Sequence, residues 1–137
     1  MFSFKKIPFC FMFAIMALMF ASLACSFNAS TAGIDDAWLS SDDDGNNRTT
    51  VFNQDAIFYA QVDLRNAPGD TKVKAVWVAI DAQNADPNLE ITQTEMQSGS
   101  ATLTFRLSND SLWPTGEYKV DLYLNDSLAQ SLNFEVR

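Results

Sequence analysis

The sequence predicts an all-β domain folded as a two-layer antiparallel sandwich, and three observations carry that reading. After residue 33, apolar and polar residues alternate with a period of two, which half-buried strands require. Clusters of Asn, Asp, Gly, Pro and Ser interrupt these runs at roughly eight- to twelve-residue spacing, as in sandwiches and barrels. No stretch there carries a 3.6-residue apolar spacing long enough for a helix of more than a turn. At 137 residues the chain has room for one ordinary domain.

The first strand is expected at Ile34–Ser40, followed by an Asp-rich loop, Ser41–Arg48, and a short extended piece, Thr49–Phe52. Ala56–Leu64 alternates with Phe58, Ala60, Val62 and Leu64 on one face. Asn66-Ala67-Pro68-Gly69-Asp70 then supplies a turn. Thr71–Asp81 is the next long strand, and the polar stretch Ala82–Asn88 leads to a weaker one near Leu89–Met96. After Gln97-Ser98-Gly99, the strand Ala101–Leu107 sets Ala101, Leu103, Phe105 and Leu107 against Thr102, Thr104 and Arg106. Glu117–Leu124 points Tyr118, Val120, Leu122 and Leu124 one way. Asn125-Asp126 suits the positive φ of a two-residue hairpin turn, and Leu128–Val136 returns with Leu132, Phe134 and Val136 inward. No internal repeat is present.

Seven strands over residues 34–137 match the size of an immunoglobulin-like domain. Trp77, in the middle of its strand, stands where such folds bury a tryptophan between the sheets. Tyr118 opens the penultimate strand, the place of a tyrosine corner. The segment Trp113-Pro114-Thr115-Gly116-Glu117-Tyr118 through Val136 resembles the closing hairpin of immunoglobulin-like modules in bacterial surface proteins. That resemblance implies a seven-stranded antiparallel β-sandwich without the inter-sheet disulfide of antibody domains.

The N-terminus has a different character. Met1–Lys6 is a short positive segment, and Ile7–Phe20 is an uncharged apolar run of the length of a signal-peptide core. Ala21-Ser22-Leu23-Ala24-Cys25 follows, and this resembles the lipobox of bacterial lipoproteins. The resemblance implies that residues 1–24 are a cleaved signal-peptide helix and that the Cys25 sulfur carries a diacylglyceryl group. Residues 25–33 would then be a small, polar tether. Two other readings remain open: ordinary signal peptidase cleavage after Ala24, or retention of the apolar span as a signal-anchor. Each places the domain outside the cytoplasm. Cys10 lies in the signal segment, so Cys25 is left with no partner for a bridge, as attachment requires.

Composition narrows the function. The sequence has no histidine, which excludes Ser-His-Asp and Cys-His catalysis, histidine zinc sites and histidine pH switches. Two of the nine basic residues, Lys5 and Lys6, precede residue 25 and no acidic residue does. The remainder sets 7 basic against 17 acidic groups, a formal charge of −10. Such a surface repels nucleic-acid phosphates and anionic headgroups. No cofactor is called for.

Four further features are weighed against plainer readings. Ser40-Ser41-Asp42-Asp43-Asp44-Gly45 partly matches a calcium loop, with Asp42 and Asp44 in ligand places. Ser40, Arg48 and Val51 occupy the first, ninth and twelfth places, and this loss of ligands favours a solvated turn. Calcium or carbohydrate binding through that loop and Trp113 is the alternative function. A hydrolase pair would have to come from Asp63, Asp81, Asp86, Glu90 and Asp121, which no spacing brings together; no enzymatic activity is expected. With Trp77 inward, Val76, Val78 and Ile80 face outward beside Tyr123, a candidate protein-contact patch unless a loop covers it or a bulge shifts the parity. The sequons at Asn28, Asn47, Asn109 and Asn125 read as loop composition.

Overall fold

The structure, a computed structural model, describes residues 32–137. The signal segment, Cys25 and residues 25–31 of the expected tether lie outside the described residues. No helix among the described residues is long and apolar enough to cross a membrane. The strands are β1 (Gly33–Ser40), β2 (Val51–Phe52), β3 (Phe58–Arg65), β4 (Thr71–Ala82), β5 (Leu89–Ser98), β6 (Ala101–Leu107), β7 (Gly116–Leu124) and β8 (Ser127–Val136). They form a three-stranded sheet, β1-β3-β6, and a five-stranded sheet, β2-β8-β7-β4-β5.

The expected alternation is the packing pattern of the core. Phe58, Ala60, Val62 and Leu64 are all fully buried, and so are Val120 and Leu122. Phe105, Leu107, Phe134 and Val136 close the layer from both sheets. Trp77 points into it, as its strand position implied. Phe58 is the centre of an aromatic cluster: its ring lies 4.9 Å from Phe52, 4.8 Å from Trp113 and 4.8 Å from Phe134. Contacts at these separations add to the stabilisation from area burial.

Two expectations about the strands are corrected. There are eight strands among the described residues, because part of the short extended piece becomes the two-residue β2. The sandwich is also not wholly antiparallel, since β2 runs parallel to β8, with Val51 opposite Glu135 and Phe52 opposite Val136. The physical reason is its route. β2 reaches the larger sheet by crossing from the smaller one after the Asp-rich loop, and only a tight hairpin imposes antiparallel pairing. Two residues also offer no alternation to count.

Turns follow their residue chemistry. Asn125 and Asp126 both take positive φ, 47° and 69°, which closes the β7–β8 hairpin in a two-residue loop. Asn125 also ties this hairpin to β4: its amide donates to the Lys72 carbonyl at 2.9 Å, and its side-chain oxygen accepts from the Lys72 amide at 3.0 Å. At the other end Gly116 adopts φ 148° against the β4 backbone. A Cβ there would collide with the Asp81 carbonyl oxygen and come within 2.6 Å of the Ala82 Cα. This close approach lies beside a β4 bulge between Ala79 and Asp81.

Candidate interaction surfaces

The outer face of the five-stranded sheet has the parity the sequence implied, with Val76 and Val78 opposite to Trp77. It is not an open apolar patch. Val76 is 8% and Val78 7% exposed, while Ile80 and Tyr123 are half-buried. β4 runs between β7 and β5, which sets Val76 between Asp121 and Gln93 and Val78 between Lys119 and Glu90. Valines on a central strand are short, and longer polar neighbours on both sides cover them. The two neighbours on β7 are themselves joined: Lys119 Nζ lies 3.2 Å from a carboxylate oxygen of Asp121, and the Ser131 hydroxyl donates to the same carboxylate at 2.5 Å. Lys74 Nζ sits 4.6 Å from the Tyr123 ring centre, a cation–π contact. On this face two nearly buried valines lie between polar side chains, tied to one another on the β7–β8 side.

The Asp-rich loop is folded onto the outer face of the three-stranded sheet. The Asp42 carboxylate accepts from the backbone amides of Asn46 (3.3 Å) and Asn47 (3.0 Å), so it holds the turn closed. Gly45, at φ 73°, is buried, and its carbonyl accepts from the Trp38 indole at 2.9 Å. Beneath it lies Gln61, only 2% exposed. The Gln61 side-chain amide donates to the Asp43 carbonyl at 3.1 Å, and its oxygen accepts from the Thr104 hydroxyl at 2.6 Å. Sequence reasoning missed Gln61; an outward polar residue between Ala60 and Val62 carries no mark of a loop arriving from a distance. Above the loop, Arg48 packs 4.1 Å from the Trp38 ring and pairs with Asp36 at 3.1 Å.

Trp113 is a core residue, so the alternative of carbohydrate binding finds no exposed indole face there. It is buried, stacks on Phe58, and its indole N–H donates to the Ala56 carbonyl at 3.0 Å. Tyr118 completes the corner: its hydroxyl donates to the Pro114 carbonyl at 2.6 Å, and burial raises its pKa above the ordinary tyrosine value of 10.

The five acids considered for hydrolysis do not converge. Asp63 lies on the outer side of the smaller sheet, paired with Arg65 at 3.0 Å. Asp121 lies on the outer side of the larger one. Asp81 faces Glu117 at the end of β4, Asp86 is in the β4–β5 loop, and Glu90 is on β5 opposite Val78. Among the described residues no group of three or more His, Cys, Asp or Glu is placed to hold a metal ion.

Among the described residues, one side of the sandwich is open. β2 pairs with β8 only at Glu135 and Val136, which leaves Ser127–Phe134 as an edge of the larger sheet. β1 is the facing edge of the smaller sheet. Between them runs a groove of about 480 Å³ lined by Ala37, Trp38, Leu39, Ser131, Leu132 and Asn133, with Arg48 at its rim.

No family model matches this sequence, and no curated protein sequence matches it. Among solved structures, the fold is similar to an immunoglobulin-like protein from Pseudomonas aeruginosa at 16% identity and a TM-score of 0.54, covering 80% of this chain and all of that one. A Pseudomonas fluorescens alkylpurine DNA glycosylase bound to DNA is also matched, at 13% identity and a TM-score of 0.44, over 80% of this chain and 31% of that one. The described domain therefore has an immunoglobulin-like fold.

Proposed function

We propose that this protein is a membrane-anchored cell-envelope lipoprotein presenting one immunoglobulin-like module outside the cytoplasm, in a binding or structural role without catalysis. The observation that carries the reading is the placement of Ala21-Ser22-Leu23-Ala24-Cys25 directly after an apolar run and eight positions before Gly33, where β1 begins. A lipid on Cys25 would hold the module within a short tether's reach of the membrane. The charge of −10 beyond residue 24 supports an attachment that owes nothing to electrostatic lipid binding. The role assigned to the module rests on its surface. Among the described residues no buried side-chain nitrogen or oxygen lacks a hydrogen-bond partner, and the open side offers backbone groups beside an apolar groove, which suit recognition of a strand.

The test is the intact mass of the protein purified from membranes. A diacylglyceryl-modified chain starting at Cys25 is expected, and Cys25→Ser should abolish that modification and leave the precursor unprocessed. An unmodified chain retaining Met1–Ala24 would show a signal-anchor instead.

A further inference from the structure

We propose that the open edge of β8 is where two copies of this chain join, strand against strand, into one continuous sheet. The Glu135 amide turns away from β7 to donate to the Thr50 carbonyl at 2.9 Å, and the Arg137 amide donates to Phe52 at 3.0 Å. Strand alternation turns the amides and carbonyls of Ser131 and Asn133 the same way, where β2 no longer reaches. Among the described residues these groups form an unfilled ladder, the template on which a further strand adds.

The occupant follows from charge. In a domain this acidic, the other exposed edges are guarded: β1 carries Asp35 and Asp36, β5 carries Glu90 and Glu95, and β6 carries Arg106. Charged side chains along an edge are a standard obstacle to pairing. The β8 edge reads Ser127-Leu128-Ala129-Gln130-Ser131-Leu132-Asn133, with no charge at all, and Leu128 is 57% exposed. A second copy brings the same neutral strand, so antiparallel β8–β8 pairing about a two-fold axis sets no like charges directly opposite. Acidic groups elsewhere are screened beyond about 8 Å at physiological salt.

The groove agrees with this occupant. A two-fold axis through the edge, perpendicular to the sheet, places the inner faces of both copies on one side. Leu132, half-buried at the mouth of the groove, then approaches its equivalent, while Ala37 and Leu39 form the buried floor beneath it. A bulge in β8 around Ala129 limits the straight part of the edge to Gln130–Asn133. A short ladder of this kind suits a reversible dimer. The inference does not depend on lipid at Cys25.

The experiment is sedimentation velocity of the full chain in detergent, with Asn133→Lys, Asn133→Pro and, as a control on another edge, Thr94→Lys. Neither Asn133 substitution removes a hydrogen bond to β7, so circular dichroism should be unchanged. Wild type and Thr94→Lys are expected as two chains per particle, and both Asn133 variants as one. Amide exchange at Ser131 and Asn133 should slow as wild-type concentration rises. A wild type that stays monomeric at tens of micromolar overturns the proposal. So does a dimer that both Asn133 variants leave intact, which would place the contact in the anchors or on another face. Slowing at Ser131 and Asn133 only when a foreign extended peptide is added would assign the edge to another partner, again overturning it.

Discussion

Gly45 rests directly on the side chain of Gln61. A Cβ added at Gly45 would come within 2.9 Å of the Gln61 Cγ and 3.1 Å of the Trp38 indole nitrogen, and the backbone there is at φ 73°. One glycine thus lets an acidic loop lie flat on a sheet face and satisfy a buried amide.

Gly45→Ala should therefore destabilise the domain by about 1–3 kcal/mol, combining left-handed backbone strain with displacement of Gln61. Gln61→Leu should cost a similar amount, about 1–3 kcal/mol, because the Asp43 carbonyl and Thr104 hydroxyl lose their partner. Chemical denaturation of both variants checks this. Unchanged midpoints would mean that the loop does not lean on the sheet.

Calcium at millimolar concentration should leave the melting temperature unchanged, because the Asp42 carboxylate already serves two backbone amides. Asp42→Ala should lower it with or without calcium, by about 1 kcal/mol of stability. A calcium-dependent rise in wild type that Asp42→Ala abolishes would restore the loop as an ion site.

Tyr118 makes stability depend on pH at the alkaline end. Its hydroxyl is buried and its pKa raised, so the folded chain keeps a proton that the unfolded chain releases above about pH 10. The contribution is fully present below that pH and is lost as pH rises through the folded value. Tyr118→Phe should lose about 0.5–1.5 kcal/mol at neutral pH with the Pro114 hydrogen bond. Its melting temperature should then fall less steeply than wild type between pH 10 and 11. Parallel curves would contradict the assignment.

Trp113→Ala should cost about 3–5 kcal/mol, as deletion of a buried aromatic does. Trp113→Phe should recover part of that loss while leaving the Ala56 carbonyl without its indole donor. Thermal melts rank the three. A surface sugar platform would give the opposite pattern, with stability preserved.

The residues that sequence reasoning placed well are those whose neighbours in the chain decide their fate. Phe58 through Leu64 alternate, so one face had to be buried, and Asn125-Asp126 could accept the positive φ of a hairpin. Tyr118 was placed by its position at the start of a strand after Trp-Pro-Thr-Gly. What escaped was decided by residues far away in sequence. Gln61 is buried because a loop some sixteen residues earlier folds back over it. Val76 and Val78 have the expected outward parity, yet only the strand order shows that two flanking strands cover them. Trp113 sits in a polar loop and looked like surface, whereas Phe58 and the Ala56 carbonyl draw it inward.

The contact between Gly116 and the backbone at Asp81 and Ala82 reaches beyond this one molecule. No side chain fits there, and two positions later the phenol must land on Pro114. Any descendant or cousin that keeps this junction is bound to retain glycine two places ahead of tyrosine, however freely the remainder drifts. Kinship too remote for overall identity to reveal should stay readable in that small spacing.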